Sequence, residues 1–189
     1  METPDIILII LSVLTTLFTV LGMQFKNMTY ILISQLASNT FLMLQYVIQG
    51  GISQGGVVIV AIVQTVISFI FTKKNKDFPI YLTVIFMVLF AVVTAIYYKG
   101  PLDIVTCVAV WCFAIAIVQK KSRICRAFSA MNVILWLIYD FGSASYSAAA
   151  THIVVIVFTV VAIIRLDLGE WRDIFAGLFA KKSKGTKND

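Results

Sequence analysis

The chain has 189 residues, 60% of them hydrophobic and only 13% charged, with a formal net charge of +6. A soluble globular domain carries roughly 25% charged residues, and a fold of this size has too little interior to hide so much apolar side chain. A water-soluble domain is therefore excluded, and the solvent for most of these side chains is lipid.

In chain order the apolar runs cover residues 6–25, 28–49, 57–71, 80–98, 102–118, 127–141 and 147–164. Most approach the roughly 20 residues that cross about 30 Å of hydrocarbon, and the shorter ones gain a turn from neutral loop residues. The fold class expected is an all-α integral membrane bundle of seven helices. Before the first run stand Glu2 and Asp5 and no Lys or Arg, so that run is expected to remain in the mature protein and not to be removed as a signal peptide. Cys107, Cys112 and Cys125 fall within spans or at their edge, which argues against an extracellular disulfide framework. No metal-ligand spacing is present, and no cofactor is expected.

Lys26 follows the first run; Lys73, Lys74 and Lys76 follow the third; Lys120, Lys121, Arg123 and Arg126 follow the fifth; Arg165, Arg172, Lys181, Lys182, Lys184 and Lys187 follow the seventh. Only Lys99 lies in an even-numbered connection, so seven crossings put fourteen of the fifteen basic residues on one side. By the positive-inside rule that side is cytoplasmic and the N-terminus is outside. The positive charge then matches an anionic inner leaflet and not nucleic acid. Residues 1–166 form the membrane domain in this reading. Residues 167–189 form a cytoplasmic tail in which Trp171, Ile174, Phe175, Leu178 and Phe179 recur at helical spacing ahead of a lysine cluster, the pattern of an interfacial amphipathic helix.

The second and sixth runs share a string. Ala37, Asn39, Leu42, Leu44 and Tyr46 match Ala130, Asn132, Leu135, Leu137 and Tyr139 at an offset of 93 residues. Each string is preceded by a basic turn and followed by a small-residue connection. The expected architecture is thus 3+1+3, with one repeat over 6–72, a linker helix over 78–98 and a second repeat over 102–165. The linker helix cancels the inversion that two directly joined three-helix units would have, so the repeats run parallel about an axis along the membrane normal.

The segment Gln35 to Asn39 with Tyr46, and Trp136 to Tyr139 through Ile163 to Asp167, resembles the YgjV-like family of bacterial inner-membrane proteins. The layout is similar to that of the SWEET sugar transporters and PnuC vitamin transporters. Such a resemblance implies a multi-pass protein of the bacterial inner (plasma) membrane. Pro4, Pro79 and Pro101 all lie at or beyond span ends, so gating prolines of the SWEET kind are not expected.

Polar side chains inside hydrocarbon need partners. Gln35, Asn39, Tyr46 and Gln49 share one face of the second run, and Ser129, Asn132, Trp136 and Tyr139 share the equivalent face of the sixth. Gln64 and Ser68 in the third, Asp103 and Trp111 in the fifth, and Thr151, His152 and Thr159 in the seventh add further polar faces. The candidate solute pathway is Asn39, Asn132, Trp136, Tyr139, Tyr46, Gln35, Gln64, Trp111 and His152, suited to a neutral or zwitterionic small molecule. The competing reading makes the same residues interhelical glue in a non-transporting scaffold or sensor. His152, the only histidine, reads either as a proton relay or as a satisfied hydrogen-bonding residue, and Asp103 and Asp140 read as wetted interface carboxylates. One histidine and scattered carboxylates do not make a catalytic constellation, so no enzyme is expected. The partners expected are the lipid bilayer and a small solute of unknown identity, and assembly into a homo-oligomer is left open.

Overall fold

A computed structural model describes the backbone of residues 3–49, 52–98 and 100–185 and the side chains of residues 6–49, 55–98, 100–146 and 148–169. Among the described residues the structure is all-helical. The helices are α1 (Thr3–Gln24), α2 (Met28–Gln49), α3 (Ile52–Lys73), α4 (Ile80–Ile96), α5 (Leu102–Ala116), α6 (Ser122–Gly142) and α7 (Tyr146–Gly185). Five of them, α1, α2, α3, α6 and α7, are long and apolar enough to cross a membrane. The other two are shorter apolar helices, with 17 residues in α4 and 15 in α5. At 1.5 Å per residue they are about 25 Å and 22 Å long, less than the thickness of a typical hydrocarbon core.

Two boundaries differ from the hydropathy pattern for physical reasons. Helix α6 begins at Ser122 instead of near residue 127, after an extended Lys121 (φ −95°, ψ 115°). A hydropathy count stops at Arg126 because it treats a charge as solvated, whereas this guanidinium is 1% exposed and paired inside the bundle. Helix α7 continues past residue 164 without a break to Gly185. The apolar stripe from Trp171 to Phe179 and the lysines beyond it lie outside the described side chains, as does Lys99.

Prolines and tight turns mark the ends. Pro79 (φ −64°, ψ 133°) and Pro101 precede α4 and α5, where a missing N–H costs nothing. Helices α3 and α6 close through residues of positive φ, Asn75 (52°) and Ala144 (56°). Beyond Asn75, the Lys76 amide reaches the Phe71 carbonyl at 3.0 Å, and beyond Ala144 the Ser145 amide reaches the Asp140 carbonyl at 2.8 Å. Both are helix ends closed by a left-handed residue.

Helix α1 packs on α2 and α2 on α3; α5 packs on α6 and α6 on α7; α4 lies against α3 and α5, and α1 meets α7. A Cβ on Gly22 would stand 3.2 Å from the Ser34 Cβ, so its absence lets α1 and α2 approach closely. One apolar cluster joins Met28, Ile31 and Leu32 of α2 to Ala116, Ile117 and Cys125 at the basic end of the bundle. A second joins Ala61 of α3 to Phe86 and Phe90 of α4 and to Val110 and Ala114 of α5. The exterior stays apolar, with Val13 60%, Val47 63% and Ile80 82% exposed, as a lipid-facing surface requires.

Ala144 occupies the left-handed region, which costs an L-residue with a Cβ roughly 1–2 kcal/mol, against the extra unfolded-state entropy that glycine would introduce. Ala144→Gly should therefore stabilise the protein by about 0.5–1 kcal/mol net, read as a higher thermal or denaturant midpoint in detergent.

Candidate functional site

A concavity among the helices has a volume of about 640 Å³, within the range of small-molecule sites. Its wall is built from α1, α2, α3, α6 and α7, with Phe90 of α4 and Val110 and Phe113 of α5 at the back. It extends from the N-terminal part of α1, at Leu8 and Ile9, down to Thr19, and along α7 from Ala148 to Val155. Among the described residues its lining includes no Asp, Glu, Lys or Arg, and His152 and Tyr46 are the lining side chains able to ionise.

Two amides set its chemistry. Asn39 is 6% exposed, and its Nδ2 has no hydrogen-bond partner; Asn132 likewise leaves its Oδ1 buried and unpartnered. The two occupy the same position in the shared string of α2 and α6, and both residues line this cavity. A buried unpaired polar atom costs about 1–3 kcal/mol.

Several other polar groups on the α1–α2 wall are committed to each other, although Thr15 Oγ1 is also buried without a partner. The hydroxyls of Thr19 and Ser38 lie 2.7 Å apart, Ser38 Oγ donates to the Thr15 carbonyl at 3.0 Å, and Gln45 Nε2 donates to Ser12 Oγ at 3.0 Å. These bonds hold α1 against α2.

Of the nine side chains proposed as a pathway, Asn39, Asn132, Trp136, Tyr46, Gln35 and His152 share this wall. Tyr139 stands behind it, edge-on to Trp136 with ring centroids 5.7 Å apart at 83°. Gln64 is fully buried and donates through Nε2 to the Ala114 carbonyl at 3.0 Å, bridging α3 to α5. Trp111 donates through Nε1 to the Met87 carbonyl at 2.9 Å, bridging α5 to α4. The geometry of these last two is that of packing contacts.

Asp140 departs from the wetted surroundings expected for it, whereas Asp103 stays partly exposed. Asp140 is 4% exposed, and its Oδ2 lies 2.5 Å from His152 Nδ1. His152 in turn stacks on Trp136 at 6.3 Å and 21°, which fixes the imidazole against the cavity wall. Asp103 accepts a hydrogen bond from the Gly100 amide at 3.0 Å, at the N-terminus of α5.

A second polar site at the basic end is not apparent from hydropathy or repeat analysis. Arg126 Nε donates to Asp167 Oδ2 at 2.7 Å, and Nη2 donates to the other carboxylate oxygen. Nη1 donates to the Phe25 carbonyl at 2.6 Å, and Nη2 also reaches Ser122 Oγ at 3.2 Å. Nearby, Gln24 Nε2 donates to the Phe158 carbonyl at 3.0 Å and Gln24 Oε1 accepts from Arg165 Nη2 at 2.9 Å. The sequence signal was available: Arg126 and Asp167 are opposite charges at the same end of neighbouring helices, and a positive-charge count assigns Arg126 to the surface.

Helices of this length and hydropathy, arranged around a mainly apolar cavity with a few polar groups, define a multi-pass helical membrane protein. The chain belongs to the Imp-YgjV family of bacterial inner membrane proteins, whose family model matches residues 6–170. Its place is the bacterial inner membrane. No curated protein and no solved structure matches the chain.

Trp111→Phe should lower the unfolding free energy by roughly 1 kcal/mol, the size of one interhelical hydrogen bond in a membrane protein. Unfolding in detergent measures this, and an unchanged midpoint would remove Trp111 from the set of helix-bridging residues.

Proposed function

We propose that this protein carries a small neutral or zwitterionic solute across the bacterial inner membrane through the cavity between its first three and last three helices. The supporting observation is the pair of asparagines, Asn39 and Asn132, which line one cavity from equivalent places in α2 and α6 and each leave an amide atom, Nδ2 and Oδ1, without a partner. Gln45, by contrast, uses its amide on Ser12, and the unpaired Oε1 of the bridging Gln64 lies on a residue outside the cavity lining. The uncharged lining suits a solute without net charge, since a buried formal charge needs an opposite partner.

The architecture we assign is 3+1+3 and SWEET-like, with parallel repeats, α4 as the linker, the N-terminus outside and the C-terminus cytoplasmic. The recurrence of α1 on α2 on α3 as α5 on α6 on α7, with α4 against α3 and α5, supports it. So does the gathering of basic residues at one end. The transport step breaks no covalent bond, and no enzymatic role is assigned. The second reading, a scaffold or sensor whose polar residues only pack helices, draws on Gln64 and Trp111, which bridge helices in just that way.

Uptake into phosphatidylethanolamine and phosphatidylglycerol proteoliposomes, with a panel of labelled sugars, nucleosides and zwitterionic amino acids, separates the two. Transport predicts saturable uptake of at least one solute class by the wild type, reduced by about tenfold or more in Asn39→Ala and Asn132→Ala with melting temperatures unchanged or raised. Lower melting temperatures in both variants, with no solute moved by the wild type, would favour the scaffold.

A further inference from the structure

Beyond the cavity, toward the basic end of the bundle, lies a buried ion pair. Arg126 lies six residues before Asn132 on α6, about 9 Å nearer the basic end, past Thr19, the lining residue of α1 nearest that end. The guanidinium binds both carboxylate oxygens of Asp167 on α7 and, through Nη1, the Phe25 carbonyl just beyond the end of α1. Gln24 of α1 binds the Phe158 carbonyl and the Arg165 side chain of α7. These bonds tie the end of α1 to α6 and α7. Away from these bonds α1 and α7 face one another across the cavity, from Thr19 to Leu8 on one side and from Val155 to Ala148 on the other.

We propose that Arg126, Asp167 and the Phe25 carbonyl form a gate, which opens the basic end of the cavity when the pair is exchanged for water. The proposal rests on the transport reading and adds to it the moving part. A buried ion pair is a poor way to gain stability, because well-packed apolar residues of similar volume usually do as well or better. It has a different advantage, in that its groups can be satisfied in two ways. Closed, Asp167, Phe25 and Ser122 accept from the guanidinium; open to the aqueous phase, water replaces them. The Phe25 carbonyl is one of those left unpaired at the end of α1, where a cation is also favoured by the helix dipole. Pairing α1 with a cation on α6 therefore adds an ionic link between the first three helices and the last three, beside the apolar cluster of Met28, Ile31, Leu32 and Ile117.

The molecule contains its own reporter. Cys125 adjoins Arg126, is 1% exposed and sits in the apolar cluster with Met28, Leu32 and Ile117. In a Cys107→Ser, Cys112→Ser background in phosphatidylethanolamine and phosphatidylglycerol nanodiscs, where both faces are accessible, a charged maleimide reads Cys125 at the gate. Ala148→Cys, made with Cys125→Ser, reads the opposite mouth. Asp167→Asn is expected to speed labelling of Cys125 by about tenfold or more and to slow labelling at position 148, the signature of a shift between two states. Gln24→Ala, which leaves the ion pair intact, is expected to do the same to a smaller extent, and it decides the matter if Asp167→Asn does not fold. Cys125 labelling unchanged in every folded variant would overturn the gate, as would faster labelling at both positions together, which reports local unfolding. Labelling is read without any solute, so a gate that responds in a protein that moves no solute would sink the transport reading and leave the gate standing. Uptake with an unresponsive Cys125 would do the reverse.

Discussion

Inside a bilayer the only hydrogen-bonding partners are those the protein brings with it. The whole structure follows from how that constraint is met. Backbone groups are met by helices, and side-chain groups by a small set of bridges: Ser38 and Gln45 to α1, Gln64 to α5, Trp111 to α4, Asp140 to His152. Against this background the unmet atoms stand out. Asn39 and Asn132, which line one cavity from matching positions, each keep an amide atom unpaired, as Thr15, Gln64 and Ser68 keep one polar atom each, and the proposed function draws on the matched pair.

Charge obeys the same constraint more strictly. A guanidinium with 1% exposure is tolerable only with its carboxylate, its helix-end carbonyl and its hydroxyl all in place. The result is a polar knot where three helices meet, at the end where most basic residues already gather. The cluster of Met28, Ile31, Leu32 and Ile117 flanks it with apolar packing. The two kinds of contact differ in character. The apolar one is indifferent to small displacements, whereas the ionic one is either made or replaced by water.

Much of the fold was legible in the sequence, and where it was not, the reason is a partner distant in the chain. The run at 28–49 coincides with α2 because no charge interrupts it. The start of α6 is hidden because Arg126 looks like a loop residue until Asp167, 41 positions on, is brought beside it. Asn39 and Asn132 stood out as amides in apolar surroundings at matching positions, and the structure brings them to one cavity. Helical periodicity places Gln64 and Trp111 on a face but does not say which neighbour that face meets, and here the neighbours are carbonyls of Ala114 and Met87. Tyr46 and Tyr139 match in the repeat, yet only Tyr46 reaches the cavity; the other is screened by Trp136. Asp140 is removed from water by a histidine on the next helix, a contact that no local reading contains.

The absence of Asp, Glu, Lys and Arg from the cavity lining has an energetic corollary. Each elementary charge carried across a membrane potential of 100 mV changes in energy by about 2.3 kcal/mol. A neutral guest among neutral walls feels almost none of that. In the proposed role, the resting voltage of the inner membrane would act on the neutral solute itself neither as a drive nor as a brake.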